Sequence, residues 1–203
     1  LEKGLQQLAD DRFSPVHLRN ATAYGFSPAL RLDLVLNDFV AHAFVHKRIL
    51  ILSDGTPWRP VVHVEDISRA FLAALEAPRD RIHGEAFNVG LDEENYQVRE
   101  LAELVAEIVP GCRIEYAPGG GPDRRSYRVD FSKIRQFLPA FRPQWNARKG
   151  IEQLYQAFKR YGLRADDLEG PRFKRLGHVR SLMEAGVVNS DLRFAVVSSS
   201  PKG

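Results

Sequence analysis

Apolar residues along this chain fall into short runs and helical stripes that alternate. Leu1, Leu5 and Leu8 recur at helical spacing and Asp10-Asp11 follows, so residues 1–11 read as the tail of a helix already under way. Val16–Arg19 reads as a strand that breaks into a turn at Tyr24–Pro28. Leu32, Val35, Leu36, Phe39, Val40 and Ala43 stripe a helix over 32–45, and Ile49–Leu52 reads as a short buried strand closed by Asp54-Gly55. Val61–Val64 predicts a second apolar strand that leads straight into a helix. There Ile67, Ala70, Phe71, Ala74 and Leu75 share one face, Glu65 and Asp66 sit in the first turn where the dipole favours them, and Pro78 stops the run.

The same alternation continues. Ala86–Val89 predicts a strand, and Val98, Leu101, Leu104, Val105 and Ile108 stripe a helix ended by Pro110-Gly111. Arg113–Tyr116 alternates like a half-exposed strand, Gly119–Pro122 is a flexible loop, and short helices are expected at Ser132–Leu138 and Gly150–Tyr161. Beyond Gly162 the character changes. Asp166-Asp167 with Gly170-Pro171 reads as a connector, Leu176, Val179, Leu182 and Met183 stripe a last helix, and residues 198–203 form a frayed tail. There is no internal repeat. Strands alternating with helices predict α/β layering with parallel pairing.

Composition narrows the classes. The 203 residues allow one large domain or two small ones. With 44% hydrophobic and 27% charged residues, disorder is excluded. A net charge of only +3 without a basic tract argues against a nucleic-acid partner. The single cysteine, Cys112, excludes an internal disulfide and a cysteine-built zinc or iron–sulfur site. No apolar stretch is long enough for a membrane helix, and the expectation is a soluble cytosolic domain with no membrane partner. The lone methionine is Met183, so Leu1 is not an ordinary translation start; a processed chain or a piece of a longer reading frame is expected.

Candidate chemistry starts with what is missing. No G-x-G-x-x-G follows a strand, and Gly119–Gly121 precedes Pro122-Asp123 instead of a helix with free N–H groups. Tyr155-x-x-x-Lys159 has the spacing of a dehydrogenase pair, but Leu154 and Phe158 flank that face and no serine or threonine partner is near, so it reads as part of an amphipathic helix. His42-x-x-x-His46 has zinc-pair spacing without the intervening glutamate or a third ligand, and reads as a solvated face; no metal is expected. The stronger constellation is distributed. Arg19–Gly25 places polar side chains at the end of an apolar strand, where open α/β sheets bind ligands. Arg59 then lies at the mouth of the next strand, where its planar fork suits a phosphate; taken alone it reads equally as a surface ion pair.

Four stretches in order, Leu18–Gly25, Ser53–Gly55, Arg59–Ile67 and Phe87–Gly90, resemble the extended short-chain dehydrogenase/reductase family, the NAD-dependent epimerases and dehydratases of nucleotide sugars. Residues 122–134 resemble the region before that family's final helices. The resemblance covers about 1–163 and implies the C-terminal part of a Rossmann-type parallel sheet with a small mixed α/β substrate-binding domain. Residues 164–203 are then a helical C-terminal extension with a frayed tail. It also implies that the glycine-rich loop and the Y-x-x-x-K pair lie upstream, Glu2 standing four positions after the catalytic lysine. By this reading NAD is bound mainly by an N-terminal half, no catalytic residue lies in this chain, and the chain alone is inactive. The intact enzyme is expected to be a homodimer.

The resemblance assigns roles residue by residue. Arg59 matches the arginine that contacts the sugar-nucleotide diphosphate, and Leu50, Ile51 and Leu52 match the strand lining the base. Asn20, with Ala21 beside it, faces the nicotinamide end of the cofactor. Thr22 stands where many members have a substrate-binding asparagine, Asn37 where a proline is usual, and Leu34 where a polar contact is common, which implies a specialised pocket. A second diphosphate arginine often occupies the place of Gly120, and Arg124 or Arg125 is expected to substitute. The implied reaction is hydride transfer from a sugar carbon to NAD followed by epimerisation or elimination. The alternative is a non-catalytic binding or structural module of the same fold.

Overall fold

The computed structural model describes residues 1–121 and 125–194. Over these the chain runs α1 (Glu2–Gln6), β1 (His17–Asn20), β2 (Thr22–Tyr24), α2 (Val35–His46), β3 (Arg48–Ile51), β4 (Trp58–His63), α3 (Val64–Glu76), α4 (Arg79–Ile82) and β5 (Ala86–Val89). It continues with a 3-10 turn (Asp92–Glu94), β6 (Asn95–Gln97), α5 (Val98–Ile108), β7 (Arg113–Tyr116), α6 (Ser132–Phe137), α7 (Ala147–Tyr161), α8 (Ala165–Glu169) and α9 (Arg175–Glu184). The α/β layering forms as expected. β1 pairs with β5, β2 with β4 and β3 with β7, all parallel, and β6 adds antiparallel to β4.

Two apolar clusters hold these layers, and β4 is their shared wall. Consecutive strand residues point to opposite faces. Val61 accordingly joins the cluster of α2, α5, α7 and β3, built around Leu36, Val40, Ile51, Leu101, Ile151 and Leu154. Val62 joins the cluster between the β1–β5 pair, α3 and α6, built around Phe87, Val89, Ala70 and Ile134. The α3 helix is tied in by polar side chains as well. His63 Nδ1 accepts the Glu65 N–H at 3.2 Å, capping the helix start. The buried Asp66 accepts the backbone N–H groups of Gln144 and Trp145 at 2.9 and 3.0 Å and pairs with Arg69 at 3.0 Å. That carboxylate fastens α3 to the segment leading into α7.

Several expectations are corrected. On α3 the buried face is Asp66, Ala70, Ala73 and Ala74, whereas Phe71 and Leu75 are exposed together with Leu72. Small alanines let the helix approach its neighbours closely, and the large side chains are left outside. The Ile49–Leu52 run is not buried throughout: Ile49 and Ile51 face the core, and Leu50 and Leu52 face away at 41% and 74% exposure. Leu32 precedes α2 instead of opening it, yet it is fully buried. The segment after Gly162, read as a connector, contains α8, whose Leu168 is buried in the first cluster. The last helix forms as α9 but buries none of its residues. β2 and β6, three residues each, were not expected. The frayed tail placed at 198–203 lies outside the described residues. Among the described residues no helix is long and apolar enough to cross a membrane.

Candidate functional site

At Ala21 the chain leaves the β1–β5 pair and enters the β2–β4–β6 sheet, so consecutive residues serve two surfaces. Ala21 donates its N–H to Val89 at 3.0 Å and packs on the second cluster, while Asn20 is exposed at the carboxyl end of β1. Thr22, one step on, lines a cleft of about 710 Å³. Carboxyl ends of parallel strands, at a change of sheet, are where α/β folds leave room for ligands.

One wall of the cleft is apolar. The period of two in β3 sends Leu50 outward, Leu52 follows it, and both line the cleft with Phe39 and Val98. Another part of the lining is cationic. Arg59 on β4 lines the cleft together with Arg125 and Tyr127, which run alongside β4. Trp58 N–H donates to Ser126 Oγ at 3.0 Å and Tyr127 N–H to the Trp58 carbonyl at 3.4 Å, which docks this segment on the strand. The Arg59 guanidinium donates to the carbonyls of Trp58, at 2.8 Å, and Arg125, and lies 5.9 Å from the Tyr127 ring centre. These contacts hold its planar group at the cleft wall.

The third side is the loop before α2 and the start of that helix, contributing Asp33, Leu34 and Asp38. Arg31 grips Asp33 in a bidentate pair at 2.8–2.9 Å and holds its carboxyl below the usual aspartate range. Asp38 lies 3.3 Å from His42 Nδ1, and this partner raises the His42 pKa. Asp33 and Asp38 were not singled out from the sequence. Polar positions at the start of an apolar helical stripe are ordinary, so the sequence carries no signal for them.

The sequence-derived site residues therefore separate into three groups. Thr22, Leu50, Leu52 and Arg59 come together in the cleft. Asn20 and Ala21 sit on the neighbouring sheet, outside it. Asn37 is buried and faces the backbone: its Oδ1 accepts the Gly25 N–H at 3.0 Å and its Nδ2 donates to the Arg31 carbonyl at 2.9 Å. It clamps the loop before α2, and the cleft is lined by its neighbours. Arg124 lies outside the described residues, and Arg125 lines the cleft. Gly120 has a steric reason to lack a side chain, because a Cβ there would lie 2.8 Å from the Leu52 carbonyl oxygen and 3.1 Å from that of Ser53.

Tyr155 and Lys159 line no part of the cleft; Lys159 Nζ lies over the Tyr155 ring at 5.5 Å. Among the described residues no group of three or more His, Cys, Asp or Glu could hold a metal ion. A separate polar lock ties β4 to α7. His63 stacks on Trp145 at 3.9 Å, its Nε2 donates to Gln153 Oε1 at 2.9 Å, and burial lowers its pKa. Gln153 Oε1 also accepts the Phe26 N–H at 3.1 Å, tying α7 to the same loop. Gly25, at φ +111°, passes so close that a Cβ would lie 2.4 Å from His63 Nε2, so only glycine fits.

Known proteins share this fold. UDP-glucuronate 4-epimerase of Thermodesulfobacterium geofontis (strain OPF15) is 25% identical over 137 residues, covering 67% of this chain and 40% of the relative. An epimerase structure from Methanothermobacter thermautotrophicus superposes with a TM-score of 0.68 at 23% identity, covering 79% of this chain and 48% of that one. UDP-glucuronic acid 4-epimerase from Bacillus cereus, solved with UDP-glucuronic acid and NAD, gives a TM-score of 0.57 at 25% identity, covering 74% and 46%. The chain thus spans about two fifths of the curated relative and about half of each solved structure. The fold is that of the Rossmann-type epimerases and dehydratases. The resemblance read from the sequence holds over residues 2–90, which match the NAD dependent epimerase/dehydratase family.

Proposed function

We propose that this chain supplies the nucleotide-sugar-binding portion of an NAD-dependent epimerase or dehydratase. The observation that carries this reading is the cleft itself: two arginines, a tyrosine and three leucines line one space of about 710 Å³. The arginines suit a diphosphate, the leucines a base, and Thr22 offers a hydroxyl toward the sugar. Arg59 and Arg125 neutralise the diphosphate charge, and the rigid β4 frame fixes the substrate's orientation before any chemistry.

NAD, when bound, supplies hydride acceptance from a sugar carbon. The described residues fit only one end of that cofactor. They offer the exposed Asn20 at the carboxyl end of β1, and the sequence has no glycine-rich turn between strand and helix to take the phosphates. In this reading the phosphate loop and the acid–base pair belong to a preceding half, and the chain alone binds substrate without turning it over.

The test is calorimetric titration of the chain with UDP-glucose, and of Arg59→Ala. A charge-assisted hydrogen bond contributes about 1.5–3 kcal/mol, so the variant should bind about 10- to 150-fold more weakly. Failure of the folded wild-type chain to bind, or equal binding by the variant, would remove the basis for the assignment.

A further inference from the structure

The segment after α7 touches the candidate cleft through the loop before α2. Phe173, between α8 and α9, accepts the Leu32 N–H at its carbonyl at 2.9 Å. The Arg175 backbone helps Arg31 to hold the Asp33 carboxyl below its usual pKa range. Leu168 of α8 is buried in the cluster that also holds Leu30, Leu32 and the α2 side chains, α8 packs on α2, and the Phe173 ring packs on the same cluster. Leu32 and Asp33 lead directly into Leu34 and Val35, and three of these four residues line the cleft. On its other side the loop is held by Asn37 and Gln153, and within it Leu30 N–H donates to the Ser27 carbonyl at 3.1 Å and Arg31 pairs with Asp33. The loop has few backbone partners of its own, so what docks on it sets its conformation.

We infer that α8 and the Phe173–Arg175 segment form a strap that positions the cleft wall at Asp33–Val35, with Leu168 and Phe173 as positioning residues for nucleotide-sugar binding. This rests on the reading of the cleft given above, and it assigns the region after Gly162 a role in that site. Neither residue touches the ligand. They act by keeping the loop in its binding arrangement, and apparent affinity falls in proportion to the fraction of molecules that hold it.

The test uses the full chain carrying Leu168→Ala, with Leu168→Met as the volume-conserving rescue. Hydrogen exchange should show residues 30–35 losing protection about tenfold, while β1 and β5 amides keep theirs. UDP affinity, measured by calorimetry, should weaken about tenfold and return with Leu168→Met. If Leu168→Ala unfolds the β1–β5 pair as well, Phe173→Ala, at a half-buried position, carries the same comparison. Unchanged protection of 30–35, or lost protection with UDP affinity within about twofold of wild type, would overturn the strap. If wild type binds no UDP, the function proposed above fails, and the exchange comparison still decides whether α8 positions the loop.

Discussion

Asn37 distinguishes a ligand contact from a structural clamp, and Asn37→Ala separates them. The side chain is 3% exposed and uses both ends of its amide on backbone groups, Gly25 N–H and the Arg31 carbonyl. Truncation leaves both without a partner. A buried unsatisfied group costs about 1–3 kcal/mol. The Gly25 end is buried and takes the full range, whereas the Arg31 end is half-buried and belongs near the bottom of it. Together they predict a loss of about 2–4 kcal/mol, a large part of the 5–15 kcal/mol typical of a domain. Urea unfolding measures this as a lower midpoint with an unchanged slope. Asn37→Asp should be no rescue at neutral pH, because it keeps an acceptor for Gly25 but turns a carboxylate toward the Arg31 carbonyl. Stability within about 0.5 kcal/mol of wild type, the range of a neutral surface change, would refute the clamp.

Two further outcomes follow from the same neighbourhood. Burial lowers the His63 pKa below its ordinary 6.5, so the unfolded chain binds this proton more readily than the folded one. Its contribution to stability is complete above about pH 6.5 and is lost as pH falls through the lowered value, while the raised pKa of His42 acts in the opposite sense; the wild-type denaturation midpoint should therefore fall relative to that of His63→Gln between pH 7.5 and 5.5. At Gly120 an added Cβ meets the backbone of Leu52 and Ser53, so Gly120→Ala should cost about 1–3 kcal/mol, read as a lowered thermal midpoint.

Much of the framework was legible because most strands and helices carry their own period. Ala86–Val89 and Arg113–Tyr116 form as read, and the stripe of α5 starts and stops where its apolar positions do. What escaped was decided by tertiary contact. β2 and β6 contain polar residues and are strands because β4 offers both its edges. The apolar run Ile49–Leu52 gives no hint that alternate residues turn outward, and that outward pair is what walls the cleft. On α3 either of two faces satisfied the periodicity, and the alanine face won because it packs closer. In the site, Arg59 and Thr22 were readable from their motifs, whereas Asp33 and Asp38 join it only once the loop before α2 folds back. Asn37 stood out as unusual in sequence for a reason that lies in the backbone it holds.

One cleft, bounded by β3, β4 and the start of α2, is proposed to take a nucleoside diphosphate. Amide chemical-shift mapping of the chain titrated with UDP tests it most directly. Thr22, Leu34, Leu52, Arg59, Arg125 and Tyr127 should shift together and saturably, while the α3 face around Phe71 and Leu75 stays still. Saturable shifts centred on any other surface, with these six unmoved, would contradict it.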